Sequence, residues 1–284
     1  MSETEYDLTY LSVGWGVQST TLYACSTLGL HGVPRADVAI FADTQSEVPD
    51  TYSHMKWMID WSQTNPNPIP VRVVTVGNLG AQIVGDQAAK QSGYQISIPA
   101  FTSGERSGGI LRRQCTAHYK LDPIRRAVRD HLSLQPKQVA AGKYKVRALI
   151  GISLDEVIRM KPSRDSWIDN CYPLVDARLR RENCLRILSE LGIPRPVKSA
   201  CVFCPYHDDH YWAWLKKERP EEWAKACVID ERIRDQTRAG VKKPVFLHDS
   251  RQPLRGIDVE TLANDPNQKR LEGFGNECEG MCGV

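Results

Sequence analysis

The chain has 284 residues, 41% hydrophobic and 25% charged content, a formal net charge of +3 and nine cysteines. That balance excludes collagen-like, low-complexity and disordered chains, and this length buries a core without disulfide staples. The odd cysteine count, the polar start MSETEYDLTY and the lack of any long apolar run lead us to expect a cytoplasmic protein with no membrane partner and reduced thiols. Clustered thiols in such a compartment are metal ligands or reactive groups.

Taken in chain order, short apolar runs at 8–13, 37–42 and 70–76 read as strands, and amphipathic stretches at 20–30 and 49–61 read as helices. That alternation predicts an α/β fold with a parallel sheet and crossover helices. Residues 77–109, rich in Gly, Ser and Gln, read as an insertion or lid, and 162–170 as a substrate loop. A helix at 116–132, a strand at 146–152 and a helix at 180–191 continue the unit. Beyond Pro205, Trp212, Trp214 and Trp223 lie on charged helical stretches to about residue 240, and the last 45 residues read as a loose appendage unless something ties them down.

Five stretches carry chemistry. Ser12, Gly14, Gly16, Gln18, Ser19 and Thr20 stand between the first strand and first helix, where glycines allow a tight turn and helix amides hold an anion. The turn lacks the Lys of a Walker loop and the glycine spacing of a Rossmann fingerprint. Asp43 and Thr44 follow the second strand, where strand ends form the ligand crevice; Asp43 accepts from a ribose or an amine there, or else Asp43 or Ser46 caps the next helix. Cys115 sits among Arg112, Arg113 and Lys120, cations that favour a thiolate, with His118 three residues on as a weaker ligand candidate. Cys201 and Cys204 have metal-ligand spacing and precede Pro205; a thioredoxin-type dithiol is the rival reading. Cys278 and Cys282 lie in a polar, Gly-rich end, as a missing ligand or a mobile nucleophile. Cys25, Cys184 and Cys227 fall in helix-like apolar patterns and read as packing.

In this order, these residues resemble the phosphoadenosine phosphosulfate reductase-like branch of the PP-loop superfamily, the adenine nucleotide α-hydrolases. The likeness runs from about Leu8 to His207: Gly14 to Ser19 is similar to the modified PP-loop, Asp43-Thr44 with Pro49 and Thr51 to the aspartate-threonine segment, and Cys115 to Pro123 to the cysteine, lysine and proline segment. Gly151 to Arg159 resembles the arginine-bearing strand end, Tyr172-Pro173-Leu174 the short turn before a helix, and Cys201 to Cys204 the cluster pair. The resemblance implies a doubly wound parallel sheet of the HUP type over residues 1–205, binding ATP or an adenylyl sulfate, and a smaller helical and irregular extension over 206–284.

It also implies a [4Fe-4S] cluster on Cys115, Cys201 and Cys204, with the fourth ligand among Cys278, Cys282, Cys171 and His207 or an open iron. Cys115-Thr116 is most similar to the ATP-dependent sulfur-transfer enzymes of DNA phosphorothioation, whereas Gln18 replaces the Asp usual in ATP-cleaving members. Three functions follow from these signals. The first is sulfur transfer: Gly14, Gly16, Ser19, Thr20, Asp43 and Gly151 bind ATP with Mg²⁺, Lys120 and Arg159 neutralise phosphate, and a nucleic acid or nucleoside is adenylated before a sulfur donor displaces AMP. The second is sulfonucleotide reduction by a Cys278 or Cys282 thiolate, resolved by a thioredoxin-like reductant; Glu277-Cys278 resembles the reductases' terminal Glu-Cys-Gly, although Glu279 follows. The third is a nucleotide-binding accessory with structural zinc, in which residues 206–219 touch nucleic acid.

Overall fold

The computed structural model describes residues 5–85, 97–103, 109–235 and 241–265. Its centre is a five-stranded sheet of β1 (Leu8–Val13), β2 (Val38–Ala42), β3 (Val71–Val74), β5 (Val146–Ile150) and β6 (Ile168–Cys171), in the order β3-β2-β1-β5-β6 with every pair parallel. A second, two-stranded antiparallel sheet joins β4 (Phe101–Thr102) to β7 (Val245–Phe246). Side chains alternate between faces along a strand, so Leu11, Val13, Ala39, Phe41 and Leu149 meet one helical layer. Leu8, Tyr10, Val38, Ile40, Val146 and Ala148 meet the other. Burial on both faces makes β1 and β2 continuous apolar runs, which is why the sequence shows them plainly.

The first layer holds α1 (Val17–Leu28), α2 (Pro49–Gln63) and, later in the chain, α6 (Arg181–Glu190). Helix α1 begins at Val17, not at 20, because extended Gly16 caps it and accepts the Thr20 N–H at 2.9 Å. Its first turn is buried and polar, so periodicity misses it. Short α3 (Leu79–Val84) occupies the stretch expected to be an insertion. The single helix expected at 116–132 is two pieces, a π-helical turn Thr116–Leu121 and α4 (Asp122–His131), the latter with Pro123 in its first turn. Helix α4 covers the second face.

Residues 162–170 are not wholly a loop: Ile168 starts the edge strand β6, whose sequence Ile-Asp-Asn-Cys has too few apolar residues to signal a strand. Pairing with β5 on one side supplies the hydrogen bonds that its composition does not advertise. Short α5 (Pro173–Asp176) then leads into α6.

Beyond the cysteine pair, α7 (Asp209–Glu218), α8 (Pro220–Ile233) and α9 (Val259–Ala263) share a core with α3 and the second sheet, built on Trp212, Phe203, Leu215, Cys227, Ile229 and Leu254. The carboxylate of Asp230, 1% exposed, accepts the N–H groups of Leu247 at 2.8 Å and Leu254 at 2.9 Å and pairs with Arg234. One buried acid thus ties residues 241–265 to α8, where composition alone suggested a loose appendage. No helix among the described residues is long and apolar enough to cross a membrane.

Candidate active site

The strand order reverses at β1, with β2 and β3 on one side and β5 and β6 on the other. Ligand crevices form at the carboxyl ends of strands beside such a reversal, so the segments after β1, β2 and β5 come together. After β1 the chain turns through Gly14-Trp15-Gly16. Ser19 Oγ accepts the Gly14 N–H at 3.3 Å and donates to Gly16 O at 3.4 Å, closing the turn. Trp15 takes φ 67°, a left-handed conformation unusual for so large a residue. It is held there by burial (0% exposed) and edge-on packing against Tyr23 and Phe41. Its indole Nε1 has no hydrogen-bond partner among the described residues.

Gln18 is buried and held on both ends of its amide. Its Nε2 donates to Ser153 Oγ at 3.3 Å and to Glu156 Oε2 at 3.2 Å, and its Oε1 accepts from Arg181 Nη1 at 2.7 Å. The other oxygen of Glu156 pairs with Arg159 Nη1 at 2.7 Å. This crosslink joins the head of α1 to the segment after β5, beside Gly151, and sets the position of Arg159. Thr20 Oγ1 lies 3.3 Å from His54 Nε2 of α2, and Ser12 is buried under the turn.

Asp43 stabilises its own turn: Oδ1 accepts the Gln45 N–H at 2.7 Å and the Tyr52 hydroxyl at 2.9 Å. Oδ2 takes no hydrogen bond among the described residues. Neither Asp43 nor Ser46 caps α2, whose N-cap is Val48; Ser46 Oγ instead accepts the Gly80 N–H of α3 at 3.2 Å.

The next residue, Thr44, opens onto a pocket that also exposes Cys115, Lys120, Cys201 and Cys204, closed by apolar Leu79, Ile98 and Phe203. Two distant stretches of chain therefore bring three of the cysteines singled out by sequence to one place, with Lys120 of the Cys115 stretch among them. Thr44 Oγ1 lies 3.1 Å from Cys201 Sγ. A bridge between Glu47 and Cys201, and the Val202 N–H on Ser46 O at 2.8 Å, clamp the cysteine segment to the end of β2. Burial pushes the Cys201 thiol well above its usual range, the Lys120 charge opposes this, and the Glu47 charge adds to it. A partly buried thiol beside an ammonium is a poor acid by itself and a good soft-metal donor once deprotonated.

His207 follows the cysteine pair but serves the fold. Its Nε2 is 2.8 Å from Cys201 O, and its ring stacks on Tyr211 at 3.7 Å. Burial, with the Lys198 charge, keeps it neutral. His118 is exposed, and Cys171 stands at the end of β6 among Asp169, Asp176 and Arg147. Cys25, Cys184 and Cys227 are fully buried in the two cores. Cys278 and Cys282 lie outside the described residues. Among the described residues no three His, Cys, Asp or Glu side chains stand close enough to hold a single metal ion.

Sequence reasoning missed Glu47, Glu156 and Arg181 as parts of this site, whereas Arg113 was read from sequence as one of the cations beside Cys115. Glu47 is 6% exposed and accepts from Ser199 Oγ at 3.0 Å; Arg113 lines the cysteine pocket. A Glu inside each strand-end segment was the only available signal, and it is common on exposed turns.

No family model and no curated protein matches the chain. Among solved structures it is similar to the phosphoadenylyl-sulfate (PAPS) reductase of Candida auris in its phosphate complex, at 13% identity and TM-score 0.36 over 67% of this chain and 76% of that one. It is also similar to the U34-tRNA thiolase NcsA of Methanococcus maripaludis with its [4Fe-4S] cluster, at 12% identity and TM-score 0.39 over 80% of this chain and 71% of that one.

Proposed function

We propose that the chain is an adenine-nucleotide-dependent sulfur-transfer enzyme of the cytoplasm, carrying an iron–sulfur cluster and activating a nucleic acid or nucleoside by adenylation. The observation that carries this reading is the meeting of Cys115, Cys201, Cys204, Lys120 and Thr44 in one pocket at the strand-end crevice. Three thiols in a pocket with apolar walls are the donor set that a [4Fe-4S] cluster takes, with Cys278 or an open iron as the fourth position. Such a cluster would supply a place to hold the incoming sulfide.

The chain's own residues do the rest. The Gly14-to-Ser19 turn and the first amides of α1 receive phosphate, and Asp43 Oδ2 remains for a ribose hydroxyl or Mg²⁺. Lys120, and Arg159 positioned by Glu156, offset phosphate charge. An acceptor oxygen attacks the α-phosphorus of ATP and pyrophosphate leaves; sulfide then displaces AMP, so a bond to sulfur replaces the bond to that oxygen. The test is AMP and pyrophosphate formation by the anaerobically purified chain, given ATP and a nucleic acid. Turnover in wild type that is lost, together with visible cluster absorption, in Cys201→Ser is the expected result. A colourless, zinc-containing protein overturns the cluster.

One observation favours a second reading, sulfonucleotide reduction through Cys278 or Cys282 with a thioredoxin-like partner. An amide, Gln18, occupies the head of α1 where a carboxylate would favour metal-bound ATP, and it is committed to Glu156 and Arg181. Sulfite release from an adenylyl sulfate without any ATP cleavage decides for that reading.

A further inference from the structure

Between α2 and residues 194–197 lies a groove of about 450 Å³ that the roles above leave unused. The buried positions of α2 are Thr51, His54, Met58 and Ser62, so Trp57 at 37% exposure turns into the groove and not into the core. Arg195, on the opposite wall, is exposed and makes no ion pair or hydrogen bond among the described residues. The groove's carboxylate, Asp50, is already taken: Arg219 donates to both oxygens, at 2.7 and 2.5 Å. What remains is a flat aromatic face and one free guanidinium. The wall residue His54 reaches Thr20, so the groove is anchored to the helix that begins at the glycine turn.

From this groove a strip of rings and cations runs on. Arg219 lies over Trp214 at 5.7 Å, Trp214 is 5.2 Å from Tyr211, and Lys198 lies over Tyr211 at 5.9 Å, Tyr211 itself being buried against His207 and serving to fix Trp214 and Lys198 in place. Lys198 Nζ then donates to Tyr206 O at 3.1 Å, and Arg113, over Tyr206 at 5.2 Å, lines the cysteine pocket. The accessible rings Trp57, Trp214 and Tyr206, each with a cation near it, suit a polyanion that carries flat bases. An acidic or proline-rich peptide would satisfy the cations or the rings, but not both in alternation.

We propose that the groove and strip bind one unpaired strand of nucleic acid, with a base stacked on Trp57 and its phosphate on Arg195, and lead that strand to the cysteine pocket. This deepens the sulfur-transfer reading and rests on it for the purpose of the path. Base stacking on an aromatic side chain is a sequence-tolerant contact, so the strand's composition is not selected here.

The experiment is fluorescence anisotropy of labelled oligo-dT and oligo-U with the full-length chain, at several salt concentrations. Trp57→Ala is expected to weaken binding about 5- to 150-fold. Arg195→Gln is expected to weaken it and to lower the salt slope by about one. Lys143→Gln, an exposed cation at the amino ends of the strands, serves as the control; the deoxy and ribo arms tell DNA from RNA, and binding of either supports the proposal. Binding by Trp57→Ala and Arg195→Gln equal to that of Lys143→Gln overturns it, as does Trp57 fluorescence that responds to a polyproline peptide but to neither oligonucleotide. Groove-dependent binding in a chain that makes no AMP keeps the groove and removes the sulfur-transfer reading, whereas AMP formation with binding indifferent to both substitutions removes the groove alone.

Discussion

Replacing Gln18 by Leu tests whether the head of α1 is locked to the segment after β5. The side chains have similar volume, so the change removes hydrogen bonds without opening a large cavity. Glu156 is 4% exposed and would lose the donor on Oε2, a bond to a charged group worth about 1.5 to 3 kcal/mol. Ser153, 0% exposed, would lose one neutral contact worth about 1 kcal/mol. Arg181 is partly exposed, and water replaces its lost acceptor at little cost. The sum is a destabilisation of about 3 kcal/mol, read as a lowered urea midpoint at unchanged slope. Because Gln18 and Glu156 share a bond, a double-mutant cycle with Glu156→Gln should show a coupling of about 1 to 2 kcal/mol. A loss below about 1 kcal/mol, or additive single effects, would refute the crosslink and with it the claim that Glu156 positions Arg159.

Two further expectations follow from geometry. The Arg219 guanidinium holds the Asp50 carboxyl below the usual carboxylate range; the pair's contribution, at most about 1 kcal/mol in its partly exposed setting, is complete above the unfolded value near pH 4 and lost as pH falls through the lower folded value. Thermal midpoints against pH should therefore show a shallower acid limb in Asp50→Asn, and an unchanged limb counts against the pair. Trp15→Ala should cost about 3 to 5 kcal/mol in urea unfolding, and Trp15→Gly about 1 kcal/mol less, because glycine alone accepts φ 67° without strain. The reverse order would remove the strain argument.

The sheet was legible in the sequence because burial on both faces turned β1, β2 and β5 into apolar runs bounded by polar turns. It failed at β6, an edge strand with a single buried residue, Ile168, since an edge strand owes its place to backbone pairing and not to composition. The start of α1 failed for the opposite reason. Val17 to Thr21 are all buried, so no polar face marked the first turn, and only the Gly16 cap fixes it. The segment after residue 205 read as an appendage because its core partners, Leu79, Ile83 and Ile98, lie far away in a stretch that composition labelled an insertion.

The site divides along the same line. Residue types with strong local spacing, such as Cys201 and Cys204, and the glycines of the first turn, declared themselves. What no spacing could give was adjacency across the sheet: Gln18 with Glu156 and Arg181 depends on β5 lying beside β1, and Thr44 with Cys201 depends on the bridge at Glu47. Strand order is a long-range property set by which apolar faces pack together, and polar partners are carried along by it. Gln18, read from sequence as a group facing the nucleotide, has both its amide N–H donors and one lone pair of its oxygen used within the protein. Its effect on chemistry would then run through Arg159 and Arg181. Substituting it should alter how firmly those cations are held before it alters any direct contact with phosphate.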